Sequence, residues 1–155
     1  MMKDVHDFWK YMVEPALVDR YVKPLDERRL RDLIGHLNSL VDWNYKTDHS
    51  IQQSYKRVNK YRSYLCANNR NLLLIRDIAN GTKHCVLSKG HRIVSRADSL
   101  SLKEYVSLGE VERTDNLSSW DCTKEWGVDD DNNNWIPIEQ VLAAAVRFWK
   151  LQLGI

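Results

Sequence analysis

The sequence predicts a mainly helical α+β protein, in which a bundle of about five helices carries a small antiparallel β-sheet inserted before the C-terminal helix. Apolar residues recur at helical spacing through the first half of the chain, short alternating runs between turn residues follow, and helical spacing returns near the end. We therefore expect a single domain, 1–155, with the bundle at 1–84 and 137–153 and the sheet and loops at 85–136.

The first half of the chain predicts four helices. One face of the first collects the apolar residues from Val5 to Leu17, and Pro15 should bend this helix or mark its last turns. The second has Asp26 as its N-cap, the third runs from about 48 to 66, and the fourth follows the Ala-Asn-Asn break. The residues that we expect the second helix to bury are Leu30, Leu33, Ile34, Leu37, Leu40 and Val41.

The second half predicts strands and one closing helix. Alternating or β-branched runs occur at 85–88, 91–96, 104–111 and 120–128. After a polar turn, the last helix has Pro137 in its first turn. Aromatic residues of the two terminal helices should meet in one core, and these are Phe8, Trp9, Phe148 and Trp149.

Composition limits the function classes. No apolar run approaches the roughly 18 residues of a membrane span, and the N-terminus lacks the apolar stretch of a signal peptide, so we expect a cytoplasmic protein without a membrane partner. Cys66, Cys85 and Cys122 are widely spaced, which indicates neither a disulfide framework nor a zinc site. Asp32 and His36 lie one turn apart, but a solvated polar face explains them better than a metal site. We expect no cofactor and no bound metal.

Charge is segregated along the chain. Residues 49–97 contain ten Lys or Arg and one acid, whereas 98–139 contain eleven acids and three Lys or Arg. The basic segment can attract a polyanion, or the two segments can pair with each other within one molecule or across a dimer. The sequence leaves both interpretations open.

The stretch 68–86, "NNRNLLLIRDIANGTKHCV", carries the candidate catalytic group. On a helical wheel Arg70, Asp77 and His84 lie within about 20° of one another, and Asn80 lies about 60° away. This stripe is either the polar side of an amphipathic helix, with Asp77 in an ion pair, or a site in which His84 moves protons while an arginine stabilises phosphate charge. The second interpretation predicts metal-free cleavage of RNA at its 2′-OH.

A helical bundle in which one helix carries Arg, a polar residue and then His resembles the HEPN superfamily. The residues that carry the resemblance are Arg76, Asp77 and His84 of "RDIANGTKH", although their Arg-to-His spacing is longer than the family's. Either a break at Gly81 or the use of Arg70 would accommodate that spacing. The resemblance implies a metal-independent endoribonuclease of a toxin–antitoxin or phage-defence system, a homodimer whose two sites meet, and an antitoxin as protein partner. Its catalytic residues would be His84, Arg76 or Arg70, Asp77 and Asn80.

The segment 55–64, "YKRVNKYRSY", independently predicts RNA or DNA binding, because it combines phosphate-attracting cations with rings on which bases stack. Tyr55 should face the core. The residues that we expect on the binding surface are Lys56, Arg57, Lys60, Tyr61 and Tyr64, together with Lys83. The alternative function is a non-catalytic helical interaction protein, an adaptor or phage-type inhibitor, that recognises partners through its separate basic and acidic surfaces.

Overall fold

The computed structural model describes residues 2–84, 93–94, 99–106 and 122–155, and for 82–84, 105–106 and 122–123 it describes the backbone alone. The fold is mainly helical with a small antiparallel sheet before the C-terminal helix, as the sequence predicts. No helix within these ranges has both the length and the apolar content that crossing a membrane requires.

The N-terminal helix is continuous but changes type along its length. It consists of α1 (Val5–Phe8), a π-helix (Trp9–Val13) and α2 (Glu14–Val22). Pro15 lies in the first turn of α2, and a proline ring clashes with the carbonyl four residues before it, here that of Tyr11 in the wider π-helix. The helix therefore continues for about two turns past Pro15 and ends at Val22.

Helix α3 (Glu27–Thr47) is the centre of the bundle and agrees with the sequence prediction. Asp26 caps it, since its carboxylate accepts the N–H of Arg29 at 3.1 Å. All six apolar residues expected to be buried are buried, and α3 packs against α2, α5, α6 and α7. Phe8, Trp9 and Trp149 belong to the same core, with Phe148 packed against it, as expected.

The third predicted helix is two helices, α4 (His49–Tyr55) and α5 (Val58–Asn68). Lys56 ends α4 because its φ of 35° is left-handed, a conformation that an α-helix of L-residues cannot continue. A single residue, Asn69, then connects α5 to α6 (Arg70–His84), and its side-chain oxygen caps α6 by accepting the N–H groups of Asn71 and Leu72.

The sheet has the strand order β1-β2-β3, with β1 (Leu100–Val106), β2 (Cys122–Asp129) and β3 (Trp135–Pro137) all antiparallel. The first two overlap the predicted runs at 104–111 and 120–128. The run at 85–88 lies outside the described residues, and of 91–96 the described Ile93 and Val94 are not in a strand. Strand β3 ends with Pro137, which we assigned to the first turn of the closing helix, so α7 (Ile138–Leu153) starts one residue later than predicted.

Candidate nucleic-acid interface

Helix α6 is buried on most of its circumference, so its polar residues do not form one exposed stripe. Asp77 is only 1% exposed, and Arg76 donates to its Oδ1 from Nε at 3.0 Å and Nη2 at 2.7 Å. The other carboxylate oxygen, Oδ2, accepts the N–H groups of Ile93 at 2.6 Å and Val94 at 3.3 Å. Asp77 therefore fastens residues 93–94 to α6 through Oδ2, while its Oδ1 holds Arg76.

Arg70 and His84 share one side of the helical wheel but not one site. They are the first and last residues of α6, and a rise of 1.5 Å per residue separates their Cα atoms by about 21 Å. Within one subunit Arg70 therefore cannot act on a group at His84. Asn80 is half-buried and lies one turn before His84. The side chains of Lys83 and His84 lie outside the described part of the chain.

Arg70 borders a cleft of about 340 Å³ between the start of α6 and the β2–β3 turn, which it shares with Cys66 and Asp130. The Asp130 carboxylate accepts the N–H groups of Asn134 at 2.8 Å and Asn132 at 2.9 Å, and these bonds hold the pKa of Asp130 below its usual value. Burial raises the pKa of the Cys66 thiol, which makes it a poor nucleophile at neutral pH. The cleft thus holds a carboxylate that structures a turn and an unactivated thiol.

A second surface, away from these α6 residues in the sequence, carries several exposed cations. Lys56, Arg57 and Lys60 are exposed at the junction of α4 and α5, and none of them forms an ion pair with the described residues. Arg57, Lys60 and Tyr64 follow at i, i+3 and i+7, so they lie along one side of α5. Tyr64 is 50% exposed. We call Lys56, Arg57, Lys60 and Tyr64 the basic tyrosine surface.

A row of tyrosine rings supports this surface from inside. The ring centroids of Tyr55 and Tyr64 are 5.2 Å apart, those of Tyr55 and Tyr61 are 5.3 Å apart, and those of Tyr45 and Tyr61 are 6.3 Å apart. Tyr61, which we expected on the exterior, is buried, and its hydroxyl accepts a 2.8 Å hydrogen bond from Asn44. Tyr61 lies on the side of α5 that packs against α3, because each residue of a helix is rotated by about 100° from the one before it. Tyr55, expected in the core, is half-buried against Tyr64.

Helices α5 and α6 pack against each other, and the single residue Asn69 connects them. The basic tyrosine surface begins immediately before α5, and His84 is the last residue of α6.

No protein-family model, curated protein or solved structure matches this chain. Its function therefore has to be argued from the contacts described above.

Several basic residues of 49–97 are used inside the molecule. Arg62 donates to Asp42 and to the Asn38 side chain, both at 2.7 Å, which fastens α5 to α3. Arg76 is paired with Asp77. These two pairs use acids at 42 and 77, not the acidic segment 98–139. Of the other described cations in 49–97, Arg70 borders the cleft near Asp130, and Lys56, Arg57 and Lys60 form one exposed group without an ion pair to the described residues.

The structure offers no metal site in the ranges that it describes, since no three His, Cys, Asp or Glu side chains there could share an ion. His36 and Asp32 instead line a groove of about 200 Å³ between the N-terminal helix and α3. Burial lowers the pKa of His36, and the nearby Asp32 carboxylate opposes this. Neither this groove nor the contact of Tyr55 with Tyr64 could be predicted from the sequence, because both depend on contacts between separate helices.

Proposed function

We propose that this protein binds single-stranded nucleic acid through the basic tyrosine surface. The observation that carries the proposal is the presence of three exposed cations, without ion pairs to the described residues, beside an exposed tyrosine ring that other rings hold in place. Unpaired cations bind phosphates without first losing a protein partner, and their binding releases counterions from the nucleic acid. An exposed ring offers a stacking face to a base of any sequence.

The packed tyrosine rings strengthen this proposal because they reduce the conformational entropy that Tyr64 loses when a base stacks on it. A free tyrosine side chain loses rotamer freedom when a base stacks on it, whereas Tyr64 is already restricted by the Tyr55 ring at 5.2 Å. An unsupported exposed tyrosine such as Tyr21, which is 87% exposed, lacks this advantage. Tyr21 is therefore the matched control for Tyr64.

RNA is the class of nucleic acid that the HEPN resemblance favours, and cleavage of RNA is a second candidate function. The observation in its favour is that α6, which ends at His84, packs against α5, the helix that begins at the basic tyrosine surface. Arg76 and Asp77 have structural partners, so in this candidate function His84 of α6 would transfer protons and Asn80 would orient it.

Binding is tested by fluorescence anisotropy of a labelled single-stranded RNA over a salt series that starts at about 50 mM. Changing Lys56, Arg57 and Lys60 together to Gln should lower the salt slope of log affinity by about 2, since each single-strand phosphate contact contributes about 0.7. Tyr64→Ala should weaken binding by about 1–3 kcal/mol, and Tyr21→Ala should not.

The control for the triple variant changes three other exposed cations, Lys23, Arg28 and Lys150, to Gln, which alters the net charge by the same amount. The proposal is wrong if the wild-type chain fails to bind at about 50 mM salt, or if both triple variants bind with the same salt slope.

A further inference from the structure

The cleft beside Arg70 lies at the far end of the basic tyrosine surface. Ala67 is exposed, lines this cleft, and follows Lys60 by seven residues on α5. Residues seven positions apart lie within about 20° of each other around a helix, so Lys60 and Ala67 share one side of α5. Arg57 and Tyr64 form a second such pair about 60° away. The exposed cations and the cleft therefore lie along the same side of α5.

The lining of the cleft combines a buried apolar part with exposed polar groups. Leu73 is only 4% exposed, and half-buried Ile93 lines the cleft with it. Asp131 and Asn132 are exposed lining residues from the β2–β3 turn. The volume of about 340 Å³ is within the range of small-ligand sites, which are mostly apolar with a few polar groups. Such a lining suits a planar ring with polar edges, which is the chemistry of a nucleobase.

The charges of the cleft indicate which part of a nucleotide enters it. Asp130 is a carboxylate at neutral pH, because the N–H groups of Asn134 hold its pKa below the usual value. Asp130 and Asp131 repel a phosphate from the cleft. Arg70, an exposed cation among the lining residues, attracts a phosphate to its border. A nucleotide is therefore oriented with its base inward and its phosphate at Arg70.

We propose that the cleft is a nucleobase pocket, which receives one base of a single-stranded RNA while the basic tyrosine surface holds the neighbouring nucleotides. This inference rests on the proposed function and adds a second contact region to it. The side of α5 from Arg57 to Ala67 is about 15 Å long, and the part from Arg57 to Tyr64 about 10 Å. A stacked strand has one phosphate per about 3.4 Å, so the site spans about five nucleotides with the cleft and about three without it.

The first test measures how affinity depends on the length of the RNA. Unlabelled oligonucleotides of one to about eight nucleotides compete with a labelled RNA at about 50 mM salt. The wild-type affinity should rise up to about five nucleotides. Ala67→Trp blocks the cleft without changing the charge, so it should weaken binding of a pentamer at least about fivefold and end the rise at about three nucleotides. The matched control is Ala143→Trp, at an exposed alanine of α7, which should bind as the wild type does.

The second test detects the pocket without the basic tyrosine surface. Ribonucleoside 5′-monophosphates are titrated into the isotope-labelled full chain, and the amide signals of Leu73, Ile93 and Asn132 are followed by NMR. These signals should shift saturably in the wild type and in the variant with Gln at positions 56, 57 and 60. Ribose 5-phosphate, which lacks a base, should leave them in place. Arg70→Gln should weaken binding of the nucleotide but not of the nucleoside, because only the nucleotide carries the phosphate.

Each variant is first checked for folding by circular dichroism melts. Asn132→Trp, at an exposed position in the turn that lines the cleft, is a second blocking variant and should act as Ala67→Trp does. The pocket is wrong, and the proposed function stands, if both blocking variants bind the pentamer as Ala143→Trp does while the triple Gln variant loses binding. Equal shifts with ribose 5-phosphate and the nucleotides would also overturn the pocket. A wild type that binds no oligonucleotide at about 50 mM salt would reject both proposals.

Discussion

Replacing Asp77 by Asn should destabilise the fold strongly. The Asp77 carboxylate accepts two hydrogen bonds from Arg76 and two from the N–H groups of Ile93 and Val94, and all four are within 3.3 Å. A carboxamide has one acceptor oxygen, so its NH₂ group must face either the guanidinium or the two backbone donors. The substitution therefore removes the charge and leaves two donors without their acceptor.

The magnitude follows from burial. Removing one partner of a buried ion pair costs about 3–5 kcal/mol, and Arg76, whose side chain remains 21% exposed, can recover part of this from water. We expect a loss of about 3 kcal/mol in the free energy of unfolding. Urea denaturation followed by tryptophan fluorescence measures this loss, and faster hydrogen exchange at Ile93 and Val94 would locate it.

Asp42→Asn is the matched control. Asp42 also accepts from an arginine, Arg62, at 2.7 Å, but its side chain is 56% exposed. Because exposed ion pairs contribute about 0–1 kcal/mol, this change should cost under about 1 kcal/mol. Equal losses for the two variants would refute the structural role of Asp77. If the expected difference is found, any loss of activity in an Asp77 variant has to be compared with its loss of folded protein.

Three further predictions concern other parts of the molecule. Burial lowers the pKa of His36, so the neutral imidazole favours the folded state. The stability should be full above the unfolded-state pKa of about 6.5 and should fall as the pH drops toward the lower folded-state pKa. His36→Gln should remove this dependence in thermal melts across that pH window. Gly127→Ala should destabilise the sheet by about 1–3 kcal/mol or more in thermal melts, because an added Cβ would lie 2.7 Å from the Ile136 carbonyl oxygen and 2.6 Å from the Trp135 ring; an unchanged melting temperature would contradict this packing. His84→Ala should slow any EDTA-resistant RNA cleavage by at least ~100-fold with little change in melting temperature, and undiminished cleavage, or none by the wild type, would reject the ribonuclease function.

Local signals made the helices predictable. Helix α3 combines a long apolar period with Asp26 as N-cap, and both features lie within the helix and the residue before it. The break between α4 and α5 has no such signal, because Lys56 adopts a left-handed conformation without the Gly or Asn that usually marks one. Strand β3, with three residues, is too short to show an alternating period.

The candidate site was harder to predict than the fold. A helical wheel displays the angle of a residue but not its height, so it grouped Arg70 with His84 although they occupy opposite ends of α6. The wheel also placed Asp77 on a polar side of α6. In the structure Asp77 is buried, and its carboxylate accepts N–H groups from residues 16 and 17 positions further along the chain. The exposed cations Lys56, Arg57 and Lys60 could be predicted, because their exposure requires no contact with another helix.

Lys56 connects backbone strain with the proposed function. Its φ of 35° suits glycine, and a left-handed conformation costs other L-residues about 1–2 kcal/mol. Lys56→Gly should therefore relieve strain while removing one of the three cations of the basic tyrosine surface. A selection for heat resistance alone would favour glycine here, and a selection for nucleic-acid binding would retain lysine. Under the proposed function, a substitution at position 56 that raises thermostability should therefore lower affinity.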